Sequence, residues 1–160
     1  MLKNYLFHLV LLTLFSSVYA GELSVKVGDS APIKLKKNDL ELLPHQTVKA
    51  VDHGGVEAAW TGVPLYQVLQ QAELNLGDSL RGPALAQYVL VTAADGYRVV
   101  FALPELDPRS TDDPVILADA MNGEAIPIGQ GPYRLIVPKE RRHFRWVRQV
   151  AKIEVIKVSP

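Results

Sequence analysis

Residues 115–128 read VILADAMNGEAIPI, and they predict a β-hairpin in the second half of the chain. Two apolar arms flank Asn122-Gly123, a pair that readily takes positive φ at both positions and so forms a tight two-residue turn. Pro127 lacks a backbone N–H, so the return arm is expected to be short or to lie at a sheet edge.

A second hairpin is predicted just before the first. Its arms, Tyr88–Ala94 and Tyr97–Ala102, flank Asp95-Gly96, a dipeptide with the same turn preference. Further strands are expected at Glu22–Val27, Gln46–Val51, Tyr133–Val137 and Ile153–Val158.

Helices are fewer. The clearest begins near Pro64, where a missing N–H costs little. Its apolar residues, at the i, i+3, i+4 and i+7 spacing of one helical face, are Leu65, Val68, Leu69 and Ala72. A shorter helix is expected at Asp39–Leu43, with Asn38 as its N-cap. Because strands dominate and helices are interspersed, the sequence predicts an α+β fold with mixed, mostly antiparallel sheets.

The N-terminus is organised like a secretory signal peptide. Lys3 precedes an apolar run from Tyr5 to Phe15, and Val18 and Ala20 stand three and one residues before a break. The run is shorter than the roughly 20 residues that a membrane-spanning helix needs. Residues 1–20 are therefore interpreted as a signal peptide cut after Ala20, with a single domain at residues 21–160 and a periplasmic location.

Composition narrows the possible functions. Without residues 1–20, the chain would carry 16 bases against 17 acids, a balance that argues against nucleic acid as a partner. The chain contains no cysteine. An exported protein of this kind holds its fold by packing alone, and it has neither a thiol nucleophile nor a thiolate metal ligand.

Charge and aromatic rings are concentrated between Lys139 and Arg148. These ten residues include five bases and one acid, together with His143, Phe144 and Trp146. Taken alone, the run is more simply explained as a solvated amphipathic segment whose aromatic residues pack inward.

Arg134, in the apolar strand before this run, favours a shared pocket. A guanidinium suits both phosphate and the edge or face of a heteroaromatic ring. We therefore expect Arg134, His143 and Arg145 to converge. Three other arginines of the run are interpreted as solvated, namely Arg141, Arg142 and Arg148.

Two other positions have both a structural and a functional interpretation. Asp52-His53-Gly54-Gly55 follows a predicted strand, where functional side chains often collect, but an ordinary Asx turn explains it equally well. Trp60 is interpreted first as a core residue and second as a stacking surface.

Three segments in order carry a resemblance to a known family. They are residues 116–127 (ILADAMNGEAIP), 131–138 (GPYRLIVP) and 143–147 (HFRWV), with further landmarks at Trp60–Leu65 and Asp95–Tyr97. Together they resemble the molybdopterin-binding domain of the sulfite oxidase family over about residues 38–156. The resemblance implies the sulfite oxidase fold and a pterin in its pocket.

The family pattern assigns roles to several residues. Arg134 would be the strand arginine that contacts the cofactor, and Arg145 replaces a lysine that usually reaches the pterin phosphate. His143 falls in the same segment, and Gln130 stands where a histidine is common. A flat pterin would be stacked and hydrogen-bonded by residues from the set Asp52, His53, Trp60, Tyr97, Arg134, Phe144 and Trp146.

The main departure from the family is at the metal. Catalytic members bind molybdenum through a cysteine at the end of the strand that corresponds to Thr47–Val51, where this chain reads Asp52-His53. Molybdenum in such sites favours a soft anionic sulfur. The expectation is therefore a bound pterin, a reduced pterin rather than molybdopterin, with no metal and no catalysis.

Small, exported, cysteine-free chains of this type resemble periplasmic pterin-binding proteins that act with membrane enzymes of cyclic di-GMP turnover. The resemblance implies a protein that relays pterin level to the periplasmic domain of such an inner-membrane enzyme, and hence a role in biofilm regulation. Two alternatives stay open. One is a molybdopterin-dependent oxidoreductase, or a subunit of one, whose metal ligand is not cysteine. The other is an empty-pocket fold that serves only as a protein-interaction module.

Overall fold

The structure, a computed structural model, describes residues 21–158, so the predicted signal peptide at residues 1–20 lies outside the described part. The strands of this part are β1 (Leu23–Val27), β2 (Ile33–Leu35), β3 (Gln46–Val51), β4 (Glu57–Pro64), β5 (Tyr88–Ala93), β6 (Arg98–Ala102), β7 (Ile116–Met121), β8 (Glu124–Ala125), β9 (Arg134–Ile136) and β10 (Val150–Ile156). The α-helices are α1 (Lys37–Glu41) and α2 (Leu65–Gln70). Short 3-10 helices lie at Gly77–Ser79, Gly82–Ala86, Leu103–Leu106 and His143–Arg145.

The strands form two five-stranded sheets. One has the order β2-β1-β10-β5-β6, and the other has the order β3-β4-β7-β8, with β9 also paired to β7. Only β1 and β10 pair in parallel among the strand pairs of residues 21–158. The predicted α+β fold with mixed, mostly antiparallel sheets is therefore confirmed.

Both predicted hairpins are present. Asn122 and Gly123 have φ of 53° and 82°, as the tight turn between β7 and β8 requires, and β8 is only two residues long. The other turn differs from the prediction, because at Asp95-Gly96 only the glycine has positive φ, at 88°. Asp95 instead accepts the Tyr97 N–H through its side chain at 2.9 Å, which makes a longer connection between β5 and β6.

The helices lie close to where they were expected, with one wrong cap. Asn38 lies inside α1, and the N-cap is Lys36. The backbone N–H of Lys36 donates a hydrogen bond to the Asp39 carboxylate at 2.8 Å. Within residues 21–158, no helix is both long and apolar enough to cross a membrane.

The sequence did not predict β2 and β4, and β4 is central to the second sheet. It pairs with β3 on one side and β7 on the other, with a register shift between Thr61 and Gly62. At Gly62 the backbone of β7 comes so close that an added Cβ would lie 2.2 Å from the Leu117 carbonyl oxygen. A side chain cannot fit there, so only glycine allows this strand pair to close.

One continuous apolar core joins the two sheets. It combines Val25, Val91 and Ile153 of the first sheet with Leu117 and Leu135 of the second, and all five are at most 1% exposed. The second sheet thereby packs against the first, and its strands β4, β7 and β9 position the residues of the candidate site.

His45 connects the segment before β3 to β7. Its Nδ1 lies 2.8 Å from the Leu43 carbonyl oxygen and its Nε2 lies 2.9 Å from a carboxylate oxygen of Asp119. Both partners are acceptors, so both contacts are satisfied only when the ring is doubly protonated. Burial opposes that charge, but the hydrogen bonds to Asp119 and Leu43, with the nearby charges of Asp119 and Glu41, raise the pKa of His45 above 6.5.

This contact predicts a pH-dependent contribution to stability. A raised folded pKa means that the contribution is complete below the unfolded pKa and is lost as pH rises through the folded pKa. Below pH 6.5, we expect wild type to exceed the His45→Gln variant by about 0.5–1 kcal/mol in free energy of unfolding. Denaturant titrations of both proteins from pH 5.5 to 8.5 measure the difference, which should shrink to zero at the alkaline end. A difference that is constant across this range would contradict the prediction.

Candidate ligand-binding site

The loop after β3 is held by the Asp52 side chain. One carboxylate oxygen, Oδ1, accepts the Gly54 N–H at 2.7 Å and the Val56 N–H at 3.4 Å. The backbone of Asp52 closes the same loop, because its N–H donates to the Val56 carbonyl at 2.9 Å. The Asx-turn interpretation of this segment is therefore correct, and the turn presents His53 on the surface.

Arg134 is at the centre of the site. It lies on β9 opposite Ala118 of β7, whose small side chain leaves room for the guanidinium, and it is only 2% exposed. The guanidinium carbon lies 4.7 Å from the ring centroid of Trp60 and 5.5 Å from that of Trp146, in cation–π contact with both. Nη1 donates to the Gln130 Oε1 at 2.6 Å.

The hydrogen-bonding capacity of Arg134 is only partly used. Its Nε is buried without a partner, and Arg134 forms no ion pair within residues 21–158. Burial, followed by the positive charge of Arg148, lowers the pKa of Arg134 to about 10, and Asp52 acts in the opposite direction. The side chain thus remains a cation at neutral pH, buried and incompletely satisfied.

Both tryptophans are structural supports beneath this cation. Trp60 is fully buried and donates from Nε1 to the Ala50 carbonyl at 3.4 Å. Trp146 is 4% exposed and donates to the Val137 carbonyl at 2.9 Å. Neither ring has a free face for a ligand, so Trp60 is the core residue of its first interpretation, and neither tryptophan serves as a stacking surface. Both rings instead hold Arg134.

Two histidines extend the cluster towards the surface. The ring centroid of His143 lies 4.6 Å from that of His53 and 4.4 Å from that of Trp146. Burial, followed by electrostatic interaction with His143, Arg134 and Arg148, lowers the pKa of His53. We refer to Asp52, His53, Gln130, Arg134 and His143 as the Arg134 cluster.

Arg145, which the sequence analysis placed with Arg134 and His143, is turned away from them. Its Nη1 pairs with Glu105 at 3.0 Å, its Nε pairs with Glu140, and its guanidinium lies 4.3 Å from the Phe101 ring centroid. There it lines a separate cavity of about 280 Å³. Its expected convergence with Arg134 is wrong for this structure, because His143 and Arg145, two residues apart on the 3-10 helix, point in different directions.

We expect Arg145 to stabilise the fold. The Arg145→Ala variant leaves Glu105 and Glu140 unpaired and uncovers Phe101, so it should lower the free energy of unfolding by about 1–2 kcal/mol. Arg142→Ala, at an exposed position in the same segment, should change it by less than about 0.5 kcal/mol. Urea titration compares the two variants, and equal stabilities would refute this role.

Tyr97 is also outside the cluster but supports it. Its hydroxyl donates to the Phe144 carbonyl at 2.6 Å, which ties the β5–β6 connection to the 3-10 helix that carries His143. Phe144 itself is 71% exposed.

Arg148 is exposed, in agreement with its interpretation as a solvated base. Its charge is among the causes that lower the pKa values of Arg134 and His53.

Comparisons with known proteins identify the family and support the fold. A family model described as "Oxidoreductase molybdopterin binding domain" matches residues 22–159. No curated protein matches the chain. Among solved structures, the sulfane dehydrogenase SoxCD from Paracoccus pantotrophus is similar, with a TM-score of 0.65 and 20% sequence identity over 86% of this chain. This chain spans only 38% of that protein chain, and the likeness shows the fold alone.

Proposed function

Because the chain belongs to the oxidoreductase molybdopterin-binding domain family, we propose that it binds a pterin at the Arg134 cluster without catalysis. The observation that carries the proposal is Arg134 itself, a buried guanidinium with an unmet donor and no ion pair in the described residues. Burying such a group is costly unless an acceptor satisfies it. A ligand with acceptor atoms on a flat ring would supply that acceptor.

The residues present fit the organic part of the family's cofactor. Arg134 and Gln130 offer hydrogen-bonding groups, Asp52 adds a carboxylate, and His53 and His143 offer rings at the surface. A pteridine is planar and has both donor and acceptor edges, so it matches this combination of aromatic faces and directed polar groups.

The residues do not fit molybdenum in the same way. The chain has no cysteine, and no three His, Asp or Glu side chains of residues 21–158 gather where they could hold a metal. Oxygen and nitrogen donors are harder than the thiolate that such a metal favours. The residues present are therefore a poor ligand set for molybdenum.

A thermal-shift titration with 6-hydroxymethyl-7,8-dihydropterin tests the proposal. Ligand at 100 times its dissociation constant should raise the free energy of unfolding by about 2.7 kcal/mol. Adenine, a flat heterocycle of similar size, serves as the control and should produce no comparable shift. If the melting temperature does not rise at dihydropterin concentrations far above micromolar, the proposal is wrong.

A second candidate function is a molybdopterin-dependent oxidoreductase, or a subunit of one. The description of the matching family model favours it. Elemental analysis separates the candidates: about one equivalent of molybdenum after expression in a cofactor-competent host would support the oxidoreductase over the non-catalytic protein.

We also propose that the protein is exported and acts through a partner. The apolar run after Lys3 and the residues before Gly21 support export, and N-terminal sequencing of protein recovered from the periplasm should begin at Gly21.

The proposed partner is the periplasmic domain of an inner-membrane enzyme of cyclic di-GMP turnover, and the family resemblance supports a partner of this kind. A pterin relay requires that this domain bind the pterin-loaded and pterin-free forms of the protein with different affinities. Equal affinities would exclude the relay and leave pterin binding intact.

A further inference from the structure

We propose that the end of the molecule that holds the Arg134 cluster is the docking surface for a partner protein with an acidic face. Four segments build this end, residues 52–56, 94–98, 127–130 and 141–149. The inference rests on the partner part of the proposed function. It adds which surface meets the partner and which chemistry the partner presents.

Direct contacts join three of these segments. The ring centroids of His53 and His143 lie 4.6 Å apart, which brings residues 52–56 against residues 141–149. The Tyr97 hydroxyl donates to the Phe144 carbonyl at 2.6 Å, which adds residues 94–98 to the same group.

Gln149 connects the fourth segment. Its carbonyl accepts the Ala94 N–H at 2.9 Å, and its own N–H donates to the Gln130 carbonyl at 3.0 Å. The side chain of Gln130 in turn accepts a hydrogen bond from Arg134 at 2.6 Å. The four segments therefore meet beside the buried guanidinium.

Each segment carries an exposed apolar side chain. We call these four side chains the apolar rim: Val56 is 66% exposed, Tyr97 49%, Ile128 94% and Phe144 71%. Single exposed apolar residues are normal on a protein, but a group of them on contacting segments marks an interaction site. The hydrogen bond from Tyr97 already holds the backbone of Phe144, so docking costs less ordering of this segment.

The charge of this surface is positive. Its exposed arginines are Arg98, Arg141, Arg142 and Arg148, and no ion pair of residues 21–158 includes any of them. Because residues 21–160 carry 16 bases against 17 acids, this excess is local. An acidic surface on the partner complements it and steers the two proteins together.

The acids of the same segments favour a protein over an anionic membrane. Asp52 and Asp95 each accept a backbone N–H of their own turn through Oδ1, at 2.7 Å from Gly54 and 2.9 Å from Tyr97. They stand among the rim residues without pairing with the arginines, and a negatively charged lipid surface would repel them. A protein surface can place a donor against each carboxylate and an acid against each arginine.

This position couples docking to ligand binding. A ligand at the Arg134 cluster lies next to the segments that carry the apolar rim, and so beside the docked partner. Contact between ligand and partner then gives the loaded and empty forms the different affinities that a relay requires.

Photo-crosslinking in the cells that make the protein tests this surface. Ile128 or Phe144 is replaced by p-benzoylphenylalanine, and Leu42 is replaced in the control, because it is 86% exposed but lies outside the four segments. We expect positions 128 and 144 to crosslink the same protein, through a peptide of net negative charge. Position 42 should not crosslink that protein.

Charge reversal then measures the contribution of the arginines. In calorimetry with the purified domain that was crosslinked, the double variant Arg141→Glu/Arg142→Glu should bind at least about 10-fold more weakly than wild type. Arg81→Glu is the matched control, since Arg81 is also exposed and outside every ion pair of residues 21–158, but lies away from the four segments. Its affinity should stay within twofold of wild type.

The outcomes separate the docking surface from the ligand. If positions 128 and 144 crosslink no protein, or a peptide without excess acid, the docking surface is wrong, and pterin binding is judged by thermal shift alone. Crosslinks to lipid only, with sedimentation on phosphatidylglycerol vesicles, would overturn the proposal in favour of a membrane surface. An unchanged affinity of the double variant would contradict the role of the arginines. If the partner docks at the rim but no pteridine raises the melting temperature, the ligand of the proposed function falls and the surface stands.

Discussion

The Gly62→Ala variant should lose about 3 kcal/mol or more of its free energy of unfolding, which corresponds to roughly 10 °C in melting temperature for a domain of this size. The added Cβ would lie 2.2 Å from the Leu117 carbonyl oxygen and 2.4 Å from the Ala118 Cα. Both are backbone atoms of β7, so no side-chain rotation can relieve the overlap. The strands must separate, and their shared hydrogen bonds and buried neighbours are then lost.

The structural change caused by Gly62→Ala should also reach the candidate ligand-binding site. Trp60 lies two residues before Gly62 on β4, and Arg134 is paired to β7 opposite Ala118, so separation of the two strands shifts the support of the guanidinium. Gly129→Ala is the matched control, since a Cβ there meets nothing within 4 Å. Thermal melts should show Gly129→Ala close to wild type. A Gly62→Ala protein of wild-type stability would show that β4 and β7 can separate at little cost.

The Arg134→Met variant should abolish ligand binding, with a loss of affinity of 100-fold or more, and still fold. Methionine removes the donors and the charge but keeps much of the buried volume. Replacing a buried, incompletely satisfied charge by an apolar side chain is often neutral or stabilising by about 1–4 kcal/mol. Here the lost cation–π contacts with Trp60 and Trp146 offset part of that gain.

Two measurements test whether Arg134→Met keeps its stability and loses pterin binding. The melting temperature without ligand should equal or exceed that of wild type, and added pterin should no longer raise it. Arg142→Met, at an exposed position, should keep the ligand-induced shift. If Arg134→Met were strongly destabilised and yet still bound pterin, Arg134 would be a structural residue and the proposed site would be wrong.

Much of the fold could be predicted from the sequence, because the turns and the α2 helix are determined by residues close together in the chain. Asn122-Gly123 and Asp95-Gly96 mark their turns directly, and the apolar spacing from Leu65 marks α2. β4 was missed because its role depends on partners distant in the chain. The need for glycine at Gly62 comes from β7, whose approach is set by sheet packing rather than by any neighbouring residue.

The candidate site was predictable in part for the same reason. Arg134 is an exception within an apolar strand, and that exception was visible in the sequence. The direction of the Arg145 side chain could not be predicted, because residues 143–145 form a single 3-10 turn in which the side chains of His143 and Arg145 diverge. The positions of Glu105, Glu140 and Phe101 explain why Arg145 points away from Arg134, while His143 lies against His53.

The paired tryptophans give the protein a built-in optical reporter. The chain contains two tryptophans, and both indole rings lie against the guanidinium of Arg134. All of the intrinsic tryptophan fluorescence therefore originates at one spot, beside the surface where a ligand would bind. Pteridines absorb near-ultraviolet light, so occupancy can be followed as quenching of this emission, without a label and without altering the molecule.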